Sequence, residues 1–172
     1  MKPKLPATQK EIISLHIKKG ADISDLIKNY DIRGEDFSGA IIEHMDRPDE
    51  DISGCNFSQA TIGKAGGVIN WSRTVARNCN FRNTQFPCTI WLRRADLRNS
   101  SFSGAFIPYA DYRYGDFRGC EFCHTVFSVG TNKALGSKFD FAFFKDMAKQ
   151  WGIGILPQNE YDDYLKWKET KK

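Results

Sequence analysis

The feature that most limits what this chain can fold into is a register of five. Reading every fifth residue from Ile32 gives Ile32, Phe37, Ile42, Arg47, Ile52, Phe57, Ile62 and Gly67. The register then slips by one and continues as Trp71, Ala76, Phe81, Phe86 and Trp91; after a one-residue insertion it runs through Leu97, Phe102, Ile107, Tyr112, Phe117, Phe122 and Phe127. Of these 20 centres, 17 are large and apolar and they take 8 of the 13 phenylalanines, so the Phe richness of the chain is a property of the repeat. The position two before the centre is small at 15 of the 20: Ala40, Cys55, Ala60, Ala65, Thr74, Cys79, Thr84, Thr89, Ala95, Ser100, Ala105, Ala110, Gly115, Cys120 and Thr125. A period of five matches neither the 3.6 of an amphipathic helix nor the 2.0 of a simple strand. The position two after the centre is often Gly or Asn (Gly34, Gly39, Gly54, Asn78, Asn83, Asn99, Gly104, Gly119), the residues that accept a left-handed turn conformation.

The segment Ala95-Asp96-Leu97-Arg98-Asn99 and its neighbours resemble the pentapeptide-repeat family, whose motif is a small residue, Asp or Asn, Leu or Phe, a polar residue and a turn residue. The resemblance covers residues 31 to 129. It implies an all-β fold, a right-handed quadrilateral β-helix with four repeats per square coil and about five coils. Stacked coils would pair their backbones at ~4.8 Å. Counting four repeats per coil stacks Ile32, Ile52, Trp71, Trp91 and Tyr112 on one face, and Phe37, Phe57, Ala76, Leu97 and Phe117 on the next. The third face holds Ile42, Ile62, Phe81, Phe102 and Phe122, and the fourth Arg47, Gly67, Phe86, Ile107 and Phe127. Residues 45–51 and 63–67 carry loop chemistry, so the coil is expected to bulge at both places.

A stacked β-helix exposes backbone edges at its ends and needs caps. Residues 1–30 are read as an N-terminal helical cap: Thr8-Gln9-Lys10-Glu11 has the pattern of a capping box opening a helix to Gly20, with a second helix from about Ser24 to Tyr30. Residues 130–172 are read as a helical cap or dimerisation segment, with helices over 139–151 and 158–169. The protein is thus expected to be a monomer or a homodimer formed through that segment.

Composition narrows the function classes. There is no run of 18 apolar residues and no signal-peptide pattern at the start, and five cysteines cannot all pair within one chain, so a cytoplasmic protein with free thiols is expected. Cys120-Glu121-Phe122-Cys123-His124 matches a haem-attachment pattern, but the register turns the two cysteines to opposite sides of the wall. The three histidines are far apart, and no nucleophile elbow or phosphate loop is present, so neither an enzyme nor a cofactor is expected.

Charge is arranged along the chain. Residues 31–51 carry eight acidic and two basic residues, whereas 64–98 carry Lys64, Arg73, Arg77, Arg82, Arg93, Arg94 and Arg98 against Asp96 alone. Arg77, Arg98 and Arg118 fall at one outward position in successive coils, a ladder of like charge. Either Asp96 and Asp116 offset it as surface ion pairs, or Arg77, which has Val75 where the others have Asp, joins Arg73, Arg82, Arg93 and Arg94 to bind an anionic partner. The reading is a non-enzymatic scaffold or macromolecule-binding module whose partner the sequence does not identify: another protein is favoured, nucleic acid is weakly supported and no membrane is expected. The alternative implied by the resemblance is a DNA mimic protecting type II topoisomerases (DNA gyrase or topoisomerase IV) from quinolones, which the net charge of +4 disfavours.

Overall fold

The computed structural model describes residues 2–127 and 137–140. Two helices, α1 (Ala7–Lys18) and α2 (Ser24–Ile27), precede seven very short strands: β1 (Ile41–Ile42), β2 (Thr61–Ile62), β3 (Val68–Asn70), β4 (Thr89–Trp91), β5 (Phe106–Ile107), β6 (Tyr109–Asp111) and β7 (Val126–Phe127). All strand pairings are parallel. Single parallel bridges extend the ladders: Asp36 pairs with Asn56, Asn56 with Asn80, Asn80 with Ser101 and Ser101 with Glu121. Each coil therefore lies on the one before it, as in a parallel β-helix.

Four columns of inward side chains fill the interior. One runs Ile32, Ile52, Ala76, Leu97 and Phe117, following the bridges Asp51–Val75–Asp96–Asp116. The next is a phenylalanine ladder, Phe37, Phe57, Phe81, Phe102 and Phe122, with successive ring centroids 5.5, 5.5, 4.9 and 5.3 Å apart and near-parallel planes. A third runs Ile42, Ile62, Phe86 and Ile107, and a fourth Arg47, Trp71, Leu92 and Tyr112. The expected centres Phe57, Phe81, Phe86, Leu97, Phe102, Ile107, Phe117 and Phe122 are all buried; the side chain of Phe127 lies outside the described residues.

These columns correct the stacking obtained by counting fives. Gly67 is not a repeat centre. Residues 63–67 form an expected bulge, closed by the Gly67 amide donating to the Lys64 carbonyl at 2.8 Å, and Ala65 within it is exposed rather than inward. Counting through the bulge adds a repeat that does not exist, so every centre after Ile62 moves one face onward. Phe81 lies on Phe57, not on Ile62. The added residue before Leu97 also sits elsewhere: Leu92 is the buried centre, Trp91 points outward at 38% exposure, and Cys88 and Ile90, not Thr89, face inward.

The expected bulge at 45–51 is absent. Arg47 stays in the core column at 2% exposure, donating from Nη2 to the Ile27 carbonyl at 2.7 Å, and from Nη1 to the Tyr30 carbonyl at 3.3 Å and Glu50 at 2.9 Å. A buried guanidinium is tolerable only when its donors are matched, and the carbonyls at the end of α2 supply acceptors. Arg47 thereby ties the N-terminal helices to the first coils, where Ile13, Ile23 and Ile27 join the same core. The capping box does not form: α1 begins at Ala7, Pro6 takes the cap position, and no side chain caps the helix, so Thr8 lies inside its first turn.

The remaining positions follow from backbone chemistry. Each of the eight Gly and Asn residues two after a centre has positive φ, as do Gln59, Arg73, Arg94, Tyr114 and His124, because the chain turns a corner there. The small inward residues also serve the stack. Thr74 donates to Arg47, Thr84 to Phe57, Ser100 to Ala76 and Thr125 to Phe102, all carbonyls of the preceding coil within 2.8 Å. The thiols of Cys55, Cys79 and Cys120 point at Ile32, Ile52 and Leu97 carbonyls in the same way. Phe139, expected to open a helix, instead stacks on Phe117 with centroids 4.9 Å apart, beside the Asp116–Lys138 bridge. The rest of the expected helices over 139–151 and 158–169 lies outside the described residues.

Candidate binding surface

An outward residue immediately before a centre and one immediately after it lie side by side on the wall, two residues apart along an extended backbone. Where the first is Asp and the second Arg, they meet. Arg33 pairs with Asp31 at 2.6 Å, Arg98 with Asp96 at 2.8 Å, Arg113 with Asp111 at 2.8 Å and Arg118 with Asp116 at 2.6 Å. Arg77 has no such neighbour, yet it reaches Asp96 in the next coil at 2.5 Å, and Arg98 extends toward Asp116 at 3.9 Å. The ladder of Arg77, Arg98 and Arg118 is therefore an alternating chain of charges running along one wall. The alternative in which Arg77 stands uncompensated is corrected: an Asp of the following coil can replace an Asp of the same repeat, a proximity that only stacking creates. These contacts hold the carboxylates down. Arg98 and then Arg77 keep Asp96 well below the ordinary range, and Arg33 lowers Asp31 to about 2.

The seven arginines expected to act together are split over three walls. Arg77, Arg98 and Arg118 share the wall just described. Arg82 lies on the wall outside the phenylalanine ladder and pairs with Glu121 at 2.5 Å. Arg73, Arg93 and Arg94 lie on the wall outside Trp71 and Leu92 or at its corner. Arg73 is held by Asp49, and Arg93 binds Asp111 at 2.7 Å. Among the described residues, no carboxylate pairs with Arg94; its guanidinium carbon sits 5.9 Å from the Tyr114 ring centroid.

That last wall holds what the sequence reading missed. Val68, Thr89 and Tyr109 are successive rungs of the β3–β4–β6 sheet, and Asn70, Trp91 and Asp111 are the rungs two residues on. Around the adjacent corner, Phe106 and Val126 pair across β5 and β7. Val68, Trp91, Phe106, Tyr109 and Val126 are all substantially exposed, as is Tyr114 beside Arg94. Arg93 lies over Trp91, 5.7 Å from the ring centroid. Asp111 is 4% exposed; burial alone would raise its pKa, but Arg113 and Arg93 both bind it and hold it at about 2. Arg113 was legible in advance, since Asp111-Tyr112-Arg113 repeats the Asp-x-Arg pattern of 96–98 and 116–118. The exposure of Trp91 was not, because an aromatic one residue before a centre looks like the centre itself.

The haem-like cysteine pattern divides as the register requires, with Cys120 buried and Cys123 exposed. Among the described residues no group of His, Cys, Asp or Glu is arranged to hold a metal, and no helix is long and apolar enough to cross a membrane.

No family model and no curated protein matches the chain. Among solved structures, it aligns with a pentapeptide repeat protein from the Arabidopsis thaliana thylakoid lumen at 22% identity and a TM-score of 0.30, covering 64% of each chain. It aligns with QnrB1, a plasmid-mediated fluoroquinolone resistance protein, at 17% identity and a TM-score of 0.24, over 73% of this chain and 93% of that one. A third is the pentapeptide repeat protein Rfr23 from the cyanobacterium Cyanothece 51142, at 19% identity and a TM-score of 0.22, over 53% of this chain and 60% of that one. The chain thus spans less than two thirds of the first and third of these proteins. Large centres every five residues, small residues two before most of them, left-handed corners two after many of them and parallel bridges between coils are the pattern this chain shares with pentapeptide-repeat proteins.

Proposed function

We propose that the chain is a non-enzymatic, cytoplasmic module that binds another protein through a flat wall of its β-helix. The observation that carries this reading is the wall bearing Val68, Trp91, Tyr109 and the adjoining Phe106, where large apolar side chains stand in solvent on a regular β surface. Exposed apolar groups gathered on one face mark interaction sites more often than they mark nothing, and Trp, Tyr and Arg are the residues that dominate interface energetics. In this reading the fold is a right-handed quadrilateral helix of about five coils, supported by four columns of centres and by bridge spacings of 20, 24, 21 and 20 residues from Asp36 to Glu121. Residues 1–30 cap its first coil, and residues 130–172 cap the other end or join two copies.

The test is photo-crosslinking in the native host with a reactive residue at Tyr109 and, separately, at Ser101 on another wall. A saturable adduct from position 109 and none from position 101 supports the reading. No adduct from either refutes it. Protection of a type II topoisomerase from quinolones is the second reading, motivated by the family resemblance; it predicts restored supercoiling in the presence of drug. The basic wall weakens it, because a groove that attracts DNA repels the same charge.

A further inference from the structure

Resting on that reading, we infer that the wall formed by β3, β4 and β6 recognises an acidic segment of a partner protein that carries apolar anchors. The wall has two zones. Toward one corner lie Val68 and Tyr109, on either side of the half-buried Thr89 rung, continued around the corner by the paired Phe106 and Val126, all four outward. Toward the other lie Arg93, Arg113 and Arg94, with Trp91 between the zones. Asp111 is shared by Arg93 and Arg113, so one carboxylate serves two cations, and Arg94 has an aromatic ring but no carboxylate among the described residues. Across the whole wall Arg73, Arg93, Arg94 and Arg113 stand against Asp46, Asp49 and Asp111, an excess of one positive charge, and it falls at the Arg94 end, where Asp111 is the carboxylate shared by Arg93 and Arg113.

Charge complementarity selects the occupant. A second copy docked face to face would set Arg93, Arg94 and Arg113 either against their own counterparts, which repel, or over the other copy's apolar zone, which strips the guanidiniums of water without supplying a carboxylate. Single-stranded nucleic acid uses a run of stacking platforms under a basic groove, but here half of the apolar zone is aliphatic, Val68 and Val126, and the cations lie to one side. A peptide segment with Phe or Leu on one edge and Glu or Asp on the other matches both zones at once.

The test uses the full-length protein and three fluorescein-labelled 14-residue peptides: one with three Phe or Leu among Glu, one with Lys in place of Glu, and one with Ser in place of the apolar residues. The acidic apolar peptide should bind at least tenfold more tightly than either other peptide, and more weakly as salt rises. Arg94→Glu and Tyr109→Ser should each weaken it at least tenfold at unchanged melting temperature, while Arg118→Glu on the other wall leaves it unchanged. Equal binding of the Lys peptide, indifference to Arg94→Glu, tighter and competing binding of oligo(dT), or a dimer that Tyr109→Ser dissociates would each overturn the inference. Any of these leaves the crosslinking result standing, so the two readings fail separately.

Discussion

The stacking register can be tested by a double-mutant cycle on the phenylalanine ladder. Phe57 and Phe81 are fully buried, their centroids lie 5.5 Å apart and their planes differ by 7°. Replacing either with Leu keeps an apolar side chain but removes an aromatic partner, costing about 1–3 kcal/mol singly. Stacked aromatic pairs are worth about 0.5–1.5 kcal/mol beyond their burial. The double variant Phe57→Leu/Phe81→Leu should therefore be less destabilised than the sum of the singles by about that amount. The control cycle pairs Ile62→Val with Phe81→Leu, the neighbours expected if Gly67 were a centre; its coupling should stay within about 0.5 kcal/mol. Equilibrium urea unfolding followed by circular dichroism reads both cycles, with an unchanged m-value confirming that the same surface unfolds. Coupling in the Ile62 cycle and none in the Phe57 cycle would show that the chain stacks one face away from the arrangement described here.

Further outcomes follow from the inward polar residues and the charges. Ser100 Oγ donates to the Ala76 carbonyl at 2.8 Å and accepts from the Cys79 amide at 3.0 Å, so Ser100→Ala should cost about 1–3 kcal/mol in urea unfolding. Ser100→Cys should cost less, because Cys55, Cys79 and Cys120 make the same contact elsewhere. Burial pushes the thiols of Cys55, Cys79 and Cys120 up to about 12 and Cys88 to about 11, whereas Cys123 is exposed. At pH 8 an aromatic disulfide reagent should therefore titrate one thiol quickly in the native protein and all five after denaturation. Asp111 is held at about 2 in the folded state, against about 3.9 when unfolded. Its stabilisation is then full above about pH 4 and is lost as pH falls through 2. Melting temperature measured from pH 7 to pH 2 should fall less steeply in Asp111→Asn than in the wild type; parallel curves would remove Asp111 from the acid response.

How much was legible in advance differs from element to element. The corners were legible because positive φ restricts residue type at a single position, and Gly34, Asn78 and Gly104 announce it without help from neighbours. Helix α1 was legible in extent but not in its cap, since Pro6 fits the cap backbone where Thr8 has the more suggestive side chain. Trp91 and Leu92 are adjacent and both apolar, and only the partner strand decides which one faces inward.

The register of five, and with it the β-helix and its buried centres, is a property of the amino-acid sequence alone, because each repeat carries its own inward pair and its own corner. The alignment of one coil on the next is not. It depends on how many residues leave the wall at 63–67, and backbone pairing across the coils, not local spacing, sets that number. Stacking therefore decided that Phe81 rests on Phe57, that Asp96 compensates Arg77 from the coil beyond, and that Arg47 finds the carbonyls of Ile27 and Tyr30. It also divided seven arginines among three walls and left Trp91 and Tyr109 in solvent beside the cation that no carboxylate of the described residues holds.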